Sequence, residues 1–279
     1  MKPLVSADWL AEHLGEPGLV ILDGSWHLPA DGRDAKAEYA AGHIPGAVFF
    51  DIDEIADHTT DLPHMLPAPA AFATAARRLG VEPGSTIVVY DSVGIFSAPR
   101  VWWEFRAMGH GAVAVLDGGL KQWIAEGHPV ETGWREPAHG EFKAHATPAL
   151  VAGKARVAEA LASGGAQIVD ARSAVRFRGE APEPRPGVRA GHIPGAKNAP
   201  FASLIAADGT LKPPEALRSA FEAAGVDLAA PIVTTCGSGV TASILALGLA
   251  VLGRDDVAVY DGSWTEWGGA ADTPVATGP

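Results

Sequence analysis

Cysteine is nearly absent from this chain: Cys236 is the only one in 279 residues. A single thiol excludes an intramolecular disulfide and a cysteine-based zinc site, and it fits a reducing compartment where the thiol stays free. Positive charge is also in short supply. Against 33 Asp and Glu there are 21 Lys and Arg, a formal net charge of −12. Nothing here neutralises a phosphate backbone in bulk, so a nonspecific nucleic-acid partner is not expected. No apolar run reaches the ~20 residues that a membrane-spanning helix requires. The stretch from Met1 to Trp9 lacks the apolar centre of a secretion signal. The expected place is the cytoplasm, with no membrane partner.

What remains is ordinary globular composition, 47% hydrophobic and 19% charged. The length exceeds one usual core and suggests two domains of ~130 residues. The chain also repeats itself. Ala41-Gly42-His43-Ile44-Pro45-Gly46-Ala47 recurs as Ala190-Gly191-His192-Ile193-Pro194-Gly195-Ala196. Val20-Ile21-Leu22-Asp23 answers to Gln167-Ile168-Val169-Asp170, Thr86–Tyr90 to Pro231–Thr235, and Ala114–Gly119 to Ala258–Ser263. Four blocks recur in one order at offsets of 144 to 149, which marks a duplicated domain. In each copy short β-branched runs alternate with helical stretches, the pattern of a central parallel sheet with helices on both faces. In the first copy this predicts helices near 70–79 and 98–108, with strands at 86–90 and 113–116. Pro and Gly punctuate both Gly-His-Ile-Pro-Gly-Ala blocks, which read as turns whose histidines anchor them by hydrogen bonds. The Pro- and Gly-rich stretch from about Gly127 to Gly153 reads as the connection. The expected division is 1–135, a linker at 136–152, and 153–279.

Cys236 lies between a strand-like Pro231-Ile232-Val233 and an apolar helical run, Ser243 to Leu252. A free cysteine is most often a small buried hydrophobe. Two glycines and two hydroxyls within five residues favour another reading, a nucleophile. The backbone N–H groups of Gly237, Gly239, Val240 and Thr241, with the positive end of the following helix, suit a thiolate. The repeat places Asp91 opposite Cys236. A carboxylate cannot do the same sulfur chemistry, so the first copy is expected to be catalytically silent.

The ordered AGHIPGA blocks, the Asp-Gly-Gly and Asp-Gly-Ser strand ends and the Cys236 loop resemble the two-domain rhodanese-type sulfurtransferases over essentially the whole chain. Within that family, Cys-Gly-Ser-Gly-Val-Thr is similar to the branch that uses 3-mercaptopyruvate. Thiosulfate-using members typically carry Cys-Arg-Lys-Gly-Val-Thr. The difference has a physical basis, because cations beside the sulfur suit a compact dianion and a neutral loop does not. The resemblance implies that Arg176 and Arg185, in a long Pro/Gly-rich loop, grip the donor's carboxylate and keto oxygen. Arginine forks do this bidentately. Sequence leaves open which of Arg176 and Arg178 faces inward. The resemblance also implies a hydrogen-bonded relay of Asp53, His64 and Ser238. Asp51 is set aside because it would point to the other face of an extended segment. Trp102, Trp103, Trp123 and Trp267 read as core, Trp264 as core or pocket wall, and Asp117 and Asp261 as turn residues.

The implied reaction passes sulfur from 3-mercaptopyruvate to Cys236 as a persulfide, releases pyruvate, and delivers the sulfur to a thiol such as thioredoxin or to cyanide. No metal or organic cofactor is called for, since sulfur is both nucleophile and carrier. A thiosulfate donor and a non-catalytic sulfur-carrier or redox-sensing module are the alternatives. A Cys-dependent phosphatase would need arginine six residues after the cysteine, where Ala242 stands.

Overall fold

The structure is a computed structural model that describes residues 1–279. Two compact units divide it. The first comprises Met1–Asp57, Pro67–Thr147 and Ala206–Leu211; the second comprises His58–Leu66, Pro148–Ile205 and Lys212–Pro279.

The first unit's strands are β1 (Leu4–Val5), β2 (Leu19–Asp23), β3 (Val48–Phe49), β4 (Thr86–Tyr90) and β5 (Val113–Leu116). They form one parallel sheet in the order β1-β5-β4-β2-β3. Helices α1 (Ala7–His13), α2 (Ala35–Ala41), α3 (Pro69–Arg78), α4 (Ala98–Ala107) and α5 (Gly119–Ala125) connect them. The second unit repeats the plan. It has β6 (Val151–Ala152), β7 (Gln167–Asp170), β8 (Lys197–Asn198), β9 (Ile232–Thr235) and β10 (Ala258–Tyr260), ordered β6-β10-β9-β7-β8. Its helices are α6 (Lys154–Ser163), α7 (Ala174–Phe177), α8 (Pro214–Ala223), α9 (Ala242–Val251) and α10 (Ser263–Gly269). Helical bounds of 69–78 and 98–107 and strand bounds of 86–90 and 113–116 agree with the sequence pattern. No helix is long and apolar enough to cross a membrane.

Parallel strands buried on both faces read as continuous apolar runs, and Ile87 to Tyr90 are wholly buried. The central strands, β4 and β9, end at the point where strand order reverses. In open α/β sheets the crevice beyond the carboxyl ends at such a switch point is where ligands bind. Asp91 and Cys236 are the next residues along the chain.

The AGHIPGA histidines do anchor turns. His43 Nδ1 donates to the Tyr39 carbonyl at 2.9 Å and His192 Nδ1 to Phe177 at 2.8 Å. Each ring stacks on a neighbour, Tyr39 or Phe177. The Pro/Gly-rich stretch after α5 is held along the first unit: Glu131 pairs with His43, Phe142 N–H donates to Val81 and Thr147 N–H to Ala107.

The two copies treat one buried aspartate differently. Asp170 is paired with Arg172, whereas Asp23, 1% exposed, has Ser25 at the matching place. Desolvation pushes the Asp23 carboxyl up to about 6, opposed by hydrogen bonds from Ser25 and Tyr90 and reinforced by Asp91. The folded state therefore holds this proton more tightly than the unfolded chain. Stability from this group is present below the unfolded value near 4 and is lost as pH rises through about 6, a cost of ~3 kcal/mol at neutral pH. Asp23→Asn is expected to remove that dependence. Urea unfolding of both proteins from pH 4 to 7.5 should show a gap, in the variant's favour, that widens with pH. A constant gap would contradict the assignment.

Candidate active site

Cys236 follows β9 and is buried, 2% exposed. The loop it opens is arranged by where its carbonyls go. The Cys236 carbonyl accepts from Trp264 N–H at 2.9 Å, and the Gly237 carbonyl accepts from Thr265 N–H at 2.9 Å and Thr265 Oγ1 at 2.6 Å. The Gly239 carbonyl accepts from Ser243 Oγ at 3.0 Å, and the Val240 carbonyl from Ser243 N–H at 3.2 Å. In a trans peptide the N–H of the next residue points opposite to the carbonyl. Tying these oxygens to α10 and to the first turn of α9 thus turns the N–H groups of residues 237, 238, 240 and 241 the other way. Gly239, at φ +81°, supplies the left-handed step that the loop needs.

Ser263 supports the loop from below. Its hydroxyl accepts from Cys236 N–H at 3.2 Å and donates to the Tyr260 carbonyl at 2.7 Å. It does so at φ +49°, a conformation that costs a non-glycine residue about 1 kcal/mol or more. The first copy has Gly119 there, at φ +57°, and no hydroxyl.

The first copy shows what such a loop holds. Asp91, fully buried, accepts five backbone N–H groups. Oδ1 takes Val93 at 2.9 Å and Gly94 at 3.0 Å. Oδ2 takes Phe96 at 2.8 Å and Ser97 and Ala98 at 2.9 Å each. The first loop is an anion cradle filled by its own side chain. By the repeat, the loop that follows Cys236 is the counterpart of this cradle in the second copy.

The arginines separate clearly. A Cβ on Gly237 would lie 3.3 Å from Arg176 Nη2, so this guanidinium rests against the cysteine loop. Arg178 instead pairs with Glu180 through two bonds of 2.8 Å, an exposed ion pair. The loop itself is neutral as its sequence implied, but Arg176 brings a cation to its flank. That cation is one end of a buried chain. Glu183 takes Arg176 Nη2 at 2.5 Å and Arg172 Nη1 at 2.8 Å, and Arg172 Nη2 donates to Asp170 at 2.6 Å. Burial works against the charge on Arg172, but Asp170 and Glu183 more than offset it and hold its pKa above the ordinary range. Arg172 also stacks over Trp264, whose ring is 1% exposed and whose Nε1 donates to the Arg189 carbonyl. Trp264 is therefore core beneath this network. The other four tryptophans singled out from sequence are buried as well.

His64 and Ser238 are both buried and belong to the same unit as Cys236. His64 sits at φ +59°, rare for a residue with a side chain. Its Nε2 lies 3.5 Å from Arg185 Nη2, at the outer limit of a hydrogen bond. Asp53 belongs to the first unit, where its Oδ2 accepts from Trp26 Nε1 at 3.0 Å. Asp51 accepts from the N–H groups of Asp53 and Glu54 and pairs with Lys36, a turn-capping role. Asp117 and Asp261, read from sequence as turn residues, instead accept from segments distant in the chain, the N–H groups of Leu211 at 2.8 Å and Leu66 at 2.7 Å.

Arg172, Glu183, Ser263 and Thr265 escaped the sequence reading. The Asp170-Ala171-Arg172 spacing at a strand end was the available signal for the buried pair. Nothing local distinguishes Glu183 from its exposed neighbour Glu180.

The rhodanese-like domain family matches residues 6–126 and 154–270. The chain is 49% identical over 273 residues to human 3-mercaptopyruvate sulfurtransferase, across 95% of this chain and 92% of that one. It is 45% identical to bovine thiosulfate sulfurtransferase, also over 273 residues and with the same coverage. The crystal structure of SseA from Escherichia coli, a 3-mercaptopyruvate sulfotransferase, superposes with a TM-score of 0.87 at 44% identity, covering 95% of this chain and 99% of that one. With both halves matched and relatives this similar along nearly its whole length, the chain belongs to the rhodanese-like family and carries that domain twice.

Proposed function

We propose that this protein is a 3-mercaptopyruvate sulfurtransferase acting through Cys236. Relatives named for either donor are similar to it at 45–49% identity, so overall likeness does not choose between them. The observation that carries the choice is the loop: Gly237 and Ser238 stand where, by the family resemblance, thiosulfate users carry cations, and Arg176 at its flank is matched by Glu183.

The Cys236 thiolate attacks the donor's sulfur. A sulfur–sulfur bond forms, the carbon–sulfur bond breaks, and its electrons pass into the enolate of pyruvate. Protonation of that enolate releases pyruvate. Arg176 and Arg185 hold the carboxylate and keto oxygen and spread the developing charge. Ser238 and His64 pass the proton, and Asp53 keeps the orienting role on the resemblance alone. The persulfide rests among the N–H groups of Gly237, Gly239, Val240 and Thr241 until a thiol, thioredoxin for instance, or cyanide removes the outer sulfur. Residues 136–152 connect the two domains, consistent with the gap between the family matches, and the protein works in the cytoplasm.

Steady-state release of pyruvate with excess thiol tests the enzyme against a carrier, which would stop after one equivalent. Within that assay Arg185→Lys replaces a fork by a point charge and is expected to raise KM for mercaptopyruvate about tenfold or more, roughly 1.4 kcal/mol. An unchanged KM would remove Arg185 from the site.

A further inference from the structure

Between Asp170 and the cysteine loop the charges alternate: Asp170, Arg172, Glu183, Arg176. Two carboxylates face two guanidiniums, so the array carries no net charge. The Arg172 and Glu183 side chains are almost wholly buried, at 1% and 4% exposure, whereas Arg176 is 27% exposed. Glu183 grips Arg176 along one edge, taking Nε at 3.3 Å and Nη2 at 2.5 Å. That leaves the Nη1 side of the fork for a ligand and fixes where it points. The guanidinium beside Gly237 is therefore held in place, its charge balanced by the Glu183 carboxylate that it touches.

We infer that Glu183 is the specificity-determining residue of this site, a positioning group that holds Arg176 and cancels its charge so that a monoanionic donor is preferred to a dianionic one. The inference rests on the sulfurtransferase reading above. A balanced guanidinium still makes directed hydrogen bonds to one carboxylate. It gives little net attraction to a compact dianion, whose binding depends on uncompensated positive charge. A loop with two cations of its own would not need such a flank; a neutral loop beside an unbalanced Arg176 would partly recreate one.

The test is the ratio of kcat/KM for mercaptopyruvate to that for thiosulfate in the full-length protein. Glu183→Gln removes the negative charge at nearly constant shape. It is expected to move the ratio toward thiosulfate by about tenfold, because the added net positive charge acts twice as strongly on a dianion. It should also raise KM for mercaptopyruvate as Arg176 loses its fixed orientation. Glu183→Asp keeps the charge and should leave the ratio within about threefold of wild type even where KM rises. Equal losses for both donors in Glu183→Gln would reduce Glu183 to scaffolding and overturn the inference, as would a shift toward mercaptopyruvate. Should Glu183→Gln not fold, the wild type decides alone. Pyruvate should protect Cys236 from iodoacetamide at lower concentration than sulfate does, and the reverse order would overturn it. A wild type that turns over thiosulfate in preference to mercaptopyruvate is a separate result, one that defeats the underlying reading before any variant is made.

Discussion

Cys236→Ser is expected to abolish sulfur transfer, with turnover falling on the order of 10⁴-fold or more, while the protein stays folded. The whole reaction runs through this one atom. A serine hydroxyl is barely ionised near neutral pH, and an oxygen nucleophile forms no persulfide, so no residual pathway uses the same cradle. Stability should change little because the hydroxyl is smaller than the thiol and the N–H groups around it can bond to oxygen as readily as to sulfur. Pyruvate release and thermal unfolding measured on the same preparation separate the two effects. Retained turnover in a folded Cys236→Ser protein would move the chemistry to another residue.

The largest expected loss of stability comes from the first copy. Asp91→Asn should destabilise the first unit by about 3–5 kcal/mol. Five N–H groups converge on this buried carboxylate. An amide keeps one oxygen for two or three of them and turns an NH₂ toward the others, so buried donors face a donor, and charge-assisted bonds are lost as well. Denaturant unfolding followed in the wild type and the variant reads this directly, and a loss under 1 kcal/mol would mean that the cradle does not demand an anion. Asp91→Cys sharpens the point. A thiolate held by these N–H groups has a depressed pKa, so that variant's stability should be regained as pH rises through it and lost as pH falls.

Much of this was legible in the chain itself. The duplication fixed the correspondence of Asp91 with Cys236, and the alternation of β-branched and helical runs located the strands that end just before them. Short apolar strands flanked by Gly and Pro carry their own signal because burial on both faces leaves little choice of residue. The supporting contacts were not legible, for a different reason. Arg172 just past a strand end and Glu183 in a Pro-rich loop are charged residues, and only folding shows that burial and pairing make them structural while Arg178 and Glu180 stay at the surface. Thr265 and Ser263 act through backbone atoms of a loop 27 or 28 residues away, a relation that no local spacing records. Arg176 was named from a resemblance with Arg178 as its rival; its closeness to Gly237 is what separates the two.

The central claim is that a neutral cysteine loop flanked by charge-balanced Arg176 serves a carboxylate-bearing donor. The most direct measurement compares kcat/KM of the wild-type protein for 3-mercaptopyruvate and for thiosulfate with a common acceptor. A clear preference for mercaptopyruvate is the expected result, and a preference for thiosulfate would contradict the account.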